Sequence, residues 1–103
     1  VCVSTDGLLG GRPHPRAYGT FPRVLARYVR ERKVLSLEQA VRKMSSLASH
    51  AYRLTEVGEI EVGSRANLVL FDPATVQDKA TFDDPCQFPE GIVHVMRNGR
   101  FEF

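Results

Sequence analysis

Apolar residues along this chain follow two rhythms. From Phe21 to Ala48 they recur at helical spacing, and on either side they come in short β-prone runs. Val1 to Val3 is one such run, and it predicts a buried strand of the kind found in parallel sheets. Gly7 to Gly19 holds four Gly and two Pro, which predicts a loop. The stretch TFPRVLARYVRERK then predicts a helix over 20–33, with Thr20 as its cap and Pro22 in its first turn. Phe21, Val24, Leu25, Tyr28 and Val29 fall on one stripe of that helix. SLEQAVRKMSSLAS predicts a second helix over 36–49. Ser36 and Gln39 have capping-box spacing, and Leu37, Ala40, Val41, Met44, Leu47 and Ala48 make its stripe. HAYRL adds a helical turn.

After Leu54 the texture changes. Gly58 and Gly63 bracket a short extended piece, and ANLVLFD predicts a buried strand stopped by Pro73. The stretch ATVQDKATFDDPCQFPEG is polar, contains two Pro and reads as a loop. IVHVMRNGRFEF predicts a hairpin, because Asn98-Gly99 supplies the positive φ angles of a tight two-residue turn. The order is strand, loop, helix, helix, then short strands. A single parallel-type strand needs neighbours for its backbone donors and acceptors, and the last strands are too few to close a layer. The pattern therefore predicts an α/β unit that is completed by further chain.

Composition narrows this picture. At 103 residues the chain is one ordinary domain or less, with 43% hydrophobic and 25% charged residues, a globular balance. No apolar run is long enough to span a membrane, and no leader pattern is visible. Cys2 and Cys86 are too few for a disulfide framework, so the expectation is a reducing, cytoplasmic setting. The net charge of +2 hides an asymmetry: residues 1–53 hold ten Lys/Arg and three Asp/Glu, and residues 54–103 hold four and nine. The two halves should therefore differ in role, or attract each other. The arginines are scattered through an amphipathic helix without interleaved aromatics, which argues against a nucleic-acid partner.

Asp6 is the sharpest chemical candidate. It ends the first strand, where α/β barrels gather their active sites, and a carboxylate there can ligate a metal or accept a proton. The plain alternative is a turn aspartate before glycine. His14 sits in RPHPR, stiffened by a proline on each side. Arg16 can bind an anion such as a carboxylate, or simply be a solvated loop arginine. His50 and His94 read as packing or surface residues, Cys2 as buried filler and Cys86 as a loop thiol. No HxH, CxxC or HExxH spacing occurs, so no metal site is complete in this chain.

The runs STDG, HPRAYGTFPRVLARYVRE, LSLEQAVRKMSSLAS, GEIEVGSRANLVLFDP, TFDDP and QFPEGIVHVMRNGR together resemble the C-terminal part of the D-aminoacylases. These are the N-acyl-D-amino-acid deacylases of the amidohydrolase superfamily. The resemblance implies a fragment of a zinc-bearing (β/α)8 amidohydrolase barrel with a small β-sandwich domain built from both chain ends. Residues 1–57 would be the last barrel strand, loop and helices, and 58–103 the closing strands of the β-domain. Asp6 matches the family's general base beside the metal, and is a possible ligand itself. Arg16 matches the arginine that holds the substrate carboxylate. The remaining zinc ligands come from earlier strands. The implied reaction is hydrolysis of an N-acyl-D-amino acid to a D-amino acid and a carboxylate. The rest of the same polypeptide is the implied partner, an oligomer is possible, and the isolated fragment is expected to be inactive. The alternative is a non-catalytic structural or oligomerisation module derived from an amidohydrolase. Thr5, Asn67 and Cys86 stand where the family usually has Ser, Asp and His, and the loop between Asp6 and the HPR run is one residue shorter than usual.

Overall fold

The computed structural model describes residues Val1–Phe103. Helix α1 spans Arg16–Arg23 and runs on as a π-helical stretch over Val24–Glu31. Two further helices follow, α2 over Leu37–Met44 and α3 over Ser46–Ala51. Three strands, β1 (Leu68–Phe71), β2 (Ile92–Arg97) and β3 (Arg100–Phe101), form an antiparallel sheet in the order β1-β2-β3.

The first helix starts four residues before the expected Thr20. Thr20 is not its cap: the Thr20 hydroxyl donates back to the Arg16 carbonyl at 2.8 Å. Pro22 lies inside the helix rather than in its first turn. It has no N–H to return to the preceding turn. From Val24 the chain adopts the wider register, closed by the Arg32 N–H donating to the Arg27 carbonyl at 2.9 Å. Leu25 is buried, with Val24 and Val29 packed beside it, while Phe21 and Tyr28 stay exposed at the stripe's edges.

The capping box of α2 is formed as the spacing predicts. Gln39 N–H donates to Ser36 Oγ at 3.1 Å, and Ser36 N–H donates to Gln39 Oε1 at 2.9 Å. The single helix expected over 36–49 is broken at Ser45, whose hydroxyl donates to the Val41 carbonyl at 2.6 Å. Such back-bonding competes with the helical ladder. After α3, Arg53 turns to φ 54° and Leu54 N–H donates to the Ser49 carbonyl at 2.8 Å, a Schellman-type stop.

The hairpin is also as expected. Met96 faces Phe101, Arg97 faces Arg100, and Asn98 and Gly99 turn between them at φ 48° and 78°. Asn67 Oδ1 accepts the Asn98 N–H at 2.8 Å, which ties that turn to the start of β1. Two expected strands differ. Val1–Val3 carries no strand pairing, and its one backbone bond is Val3 N–H to the Lys43 carbonyl at 3.0 Å, because this chain supplies no parallel neighbour. No strand forms between Gly58 and Gly63. β1 is a strand but not a buried one.

The core is small: Leu25, Ala40 and Val76, with Leu35, Leu37, Met44, Phe71 and Ile92 packed around them. It joins the helices to the region before β2. Arg30 reinforces the junction, donating to the carbonyls of Pro73 and Val76 at 3.2 and 2.7 Å and to Gln77 Oε1 at 3.0 Å. Opposite charges of the two halves meet in Arg23–Asp78 at 3.1 Å and Arg12–Asp83 at 3.7 Å, the second of the two outcomes the asymmetry allows.

Candidate active site

Asp6 and Arg16 are ten positions apart in sequence, and the fold brings them into contact. Arg16 Nη2 lies 3.2 Å from Asp6 Oδ2. Asp6 adopts φ 45°, a left-handed conformation that aspartate tolerates better than most residues. Its neighbour explains the approach. A Cβ on Gly7 would stand 2.9 Å from the Ala17 Cα, so only glycine lets the Asp6 segment lie against the first turn of α1. The segment is shaped locally by two hydroxyls: Ser4 Oγ accepts the Asp6 N–H at 3.4 Å and Thr5 Oγ1 accepts the Gly7 N–H at 3.2 Å. The Asp6 side chain is 89% exposed. Within this chain Arg16 is the charged group that meets its carboxylate.

Arg16 is the first residue of α1. It borders a concavity of about 450 Å³ between α1 and residues 78–82, to which Thr20, Arg23 and Phe82 also contribute. Arg23 is held there by Asp78 at 3.1 Å. His14 lines the same concavity and accepts the Arg16 N–H at Nδ1, 3.0 Å away, whereas His50 and His94 lie elsewhere. His50 pairs with Glu59 at 3.1 Å, and His94 Nδ1 contacts the Phe103 carbonyl at 3.2 Å. Cys2 and Cys86 are both free thiols, the first half-buried and the second exposed.

A zinc ion takes about three or four protein ligands. No group of three His, Cys, Asp or Glu side chains converges in this chain. Asp6 suits zinc as one exposed oxygen donor, and the chain does not assemble a full ligand set.

The family model of the amidohydrolases ("Amidohydrolase family") matches residues 1–103. The chain belongs to the amidohydrolase family. An N-acyl-D-aspartate deacylase of Alcaligenes xylosoxydans xylosoxydans is 52% identical over 99 residues, which is 95% of this chain and 20% of that protein. An N-acyl-D-glutamate deacylase of the same organism is 48% identical over 98 residues, 94% of this chain and 20% of the relative. The crystal structure of the N-acyl-D-glutamate deacylase from Bordetella bronchiseptica superposes with a TM-score of 0.95 at 46% identity. It covers 99% of this chain and 22% of that one. That enzyme is complexed with zinc and a phosphonate inhibitor described as a mimic of the reaction's tetrahedral intermediate. This amidohydrolase chain thus spans about a fifth of the length of the curated relatives it matches.

In sequence Gly7 reads only as the start of a glycine- and proline-rich loop. Its role as the contact point between the Asp6 segment and α1 depends on Ala17, and nothing in the local sequence signals it. The same holds for Arg30, whose clamp on residues 73–77 spans more than forty positions of sequence.

Proposed function

We propose that this chain is part of a zinc-dependent deacylase that hydrolyses N-acyl-D-amino acids to a D-amino acid and a carboxylate. Asp6 is its general base and Arg16 its contact for the substrate carboxylate. The observation that supports this reading is the pairing of the two residues at 3.2 Å, in a chain 46% identical to an enzyme that binds zinc and a phosphonate. When bound, zinc lowers the pKa of water toward neutrality. Asp6 accepts the proton of the attacking water and returns it to the leaving nitrogen. Arg16 anchors the substrate's carboxylate through a charge-assisted contact. In the free site Arg16 leans on Asp6, so an arriving carboxylate exchanges one anionic partner of the guanidinium for another.

The reading also assigns residues 1–57 to the last strand and helices of a (β/α)8 barrel. Residues 58–103 become the closing strands of a composite β-domain. The small core and the unpaired Val1–Val3 run support a unit completed by other strands. No helix of the chain is long and apolar enough to cross a membrane, and the free thiols of Cys2 and Cys86 suit the proposed cytoplasmic setting.

The test is made in the full-length enzyme. Asp6→Asn keeps the shape but cannot take the proton, so kcat should fall at least about a hundredfold with an unchanged thermal midpoint. Arg16→Ala should act mainly on KM, losing a contact worth about 1.5–3 kcal/mol. Full kcat in Asp6→Asn would reduce Asp6 to a turn residue before glycine.

A further inference from the structure

We propose that His14 is a positioning residue: it fixes the first turn of α1, and so Arg16, and residues 81–84 hold it in place. The proposal rests on the reading of Arg16 as the contact for the substrate carboxylate.

A helix begins with backbone N–H groups that have no partner within it. In α1 the first of these belongs to Arg16 itself, and the residue before it is Pro15, which makes no side-chain cap. His14 fills the gap twice. Its Nδ1 accepts the Arg16 N–H at 3.0 Å, and its carbonyl accepts the Ala17 N–H at 3.0 Å. An imidazole that accepts at Nδ1 carries its proton on Nε2. Pro13 and Pro15 restrict the backbone on both sides of His14.

The ring is also braced from outside. Phe82 meets it edge-on, with centroids 4.9 Å apart and planes at 81°. Phe82 does not float. Arg12 donates to the Phe82 and Asp83 carbonyls, each at 3.0 Å. Thr81 and Asp84 close the turn around it: Asp84 N–H donates to Thr81 Oγ1 at 2.9 Å and Thr81 N–H donates to the Asp84 carbonyl at 3.0 Å. The 12–14 strap and the 81–84 turn therefore grip each other directly before the residue that carries the guanidinium. Without the imidazole acceptor, the Arg16 N–H turns to water and the first turn frays. The side chain most displaced by that fraying is Arg16.

The experiment uses the full-length, zinc-loaded enzyme with an N-acyl-D-amino acid and with its carboxamide counterpart, which lacks the carboxylate. His14→Ala should raise KM for the acid about three- to tenfold, the range of one lost hydrogen bond, with kcat within about twofold. His14→Asn should restore KM, because an Asn side chain accepts the N–H two residues on. His14→Phe, which keeps a ring on Phe82 but no acceptor, should behave like His14→Ala. The double variant His14→Ala/Arg16→Ala should have the KM of Arg16→Ala alone, since both act through one contact. His14→Ala should leave KM for the carboxamide unchanged. If Arg16→Ala raises KM while His14→Ala and His14→Phe leave it unchanged, the positioning role is overturned and the reading of Arg16 stands. If Arg16→Ala itself leaves KM unchanged, the reading of the site falls and the positioning role with it. Should His14→Ala fail to fold, the contrast between His14→Asn and His14→Phe decides: equal KM values for the two overturn the proposal.

Discussion

In the helices, Leu25, Ala26 and Ala40 lie buried, and the rest of the apolar stripe leans on them. In β1, Leu68, Val69 and Leu70 are 39, 57 and 57% exposed, and Phe101 of β3 is 68% exposed. The strands are the more apolar of the two in sequence, yet the less buried. The two regions differ in how much each can finish alone. A helix satisfies its own backbone and has one stripe to cover, and here two helices and Val76 cover it. A three-stranded sheet has two faces and two edges, and it needs a further layer to remove its apolar side chains from water. The candidate residues Asp6 and Arg16 lie with the better-packed half, at the start of α1, and the sheet half contributes the braces: Asp78 to Arg23, Phe82 to His14, and the carbonyls of Phe82 and Asp83 to Arg12.

The comparison predicts that the site is broken most easily from the helix side. Gly7→Ala would push a methyl group to 2.9 Å from the Ala17 Cα, so the Asp6 segment must back away from α1. A displacement of about 1 Å at a reacting group can cost about a hundredfold in rate. In the full-length enzyme kcat for an N-acyl-D-amino acid should fall by about that factor, with far-ultraviolet circular dichroism unchanged. Near-normal kcat would mean that Asp6 is placed by something other than this contact.

The second test sets core against sheet. Val76 is fully buried, and Val76→Ala should cost about 2 kcal/mol of unfolding free energy for the methyl groups removed and the void left behind. Val69→Ala then reports on what covers the sheet. A cost approaching that of Val76→Ala in the full-length protein is what a completed β-domain requires. A change within about 0.5 kcal/mol, ordinary for a surface position, would leave that face in water and break the composite-domain reading. Chemical denaturation of both variants measures this.

What could be read from the sequence was whatever a few neighbouring residues decide. Ser36 and Gln39 cap each other across three positions, and Asn98-Gly99 makes its own turn. What could not be read depends on distant partners. The start of α1 at Arg16 rests on an imidazole outside the helix rather than on Thr20. The wider register after Pro22 and the break at Ser45 are backbone choices that an apolar stripe does not encode. β1 has the alternation-free composition of a buried strand, but burial belongs to the layer opposite, and this chain does not supply one. At the site, the identities of Asp6 and Arg16 were visible as candidates, whereas their contact was not, because it runs through Gly7 and Ala17.

A smaller effect separates the hairpin from the helices. The Asn98 N–H is held by Asn67 Oδ1 at 2.8 Å. Asn67→Ala removes the acceptor and should cost about 1 kcal/mol, the usual net worth of one hydrogen bond. Asn67→Asp keeps an acceptor at the same place and should stay close to the parent thermal midpoint. Equal losses in the two variants would mean that the amide's other contacts matter more than the tether.

The smallest effect belongs to α2. Glu38 stands in its first turn. Its carboxyl is held below the ordinary glutamate range, first by a hydrogen bond from its own backbone N–H and then by one from the Ser36 side chain. The carboxylate also faces the positive end of the helix. A group whose pKa is lower in the folded state adds stability above its unfolded pKa and loses that contribution as pH falls through its folded value. The gap in thermal midpoint between the parent protein and Glu38→Gln should therefore be present at neutral pH and close as the solution is acidified through the carboxylate range. The side chain is fully solvated, so added salt should narrow the gap at neutral pH as well. A gap that keeps its size at low pH would trace the difference to helix propensity or to the amide rather than to the charge.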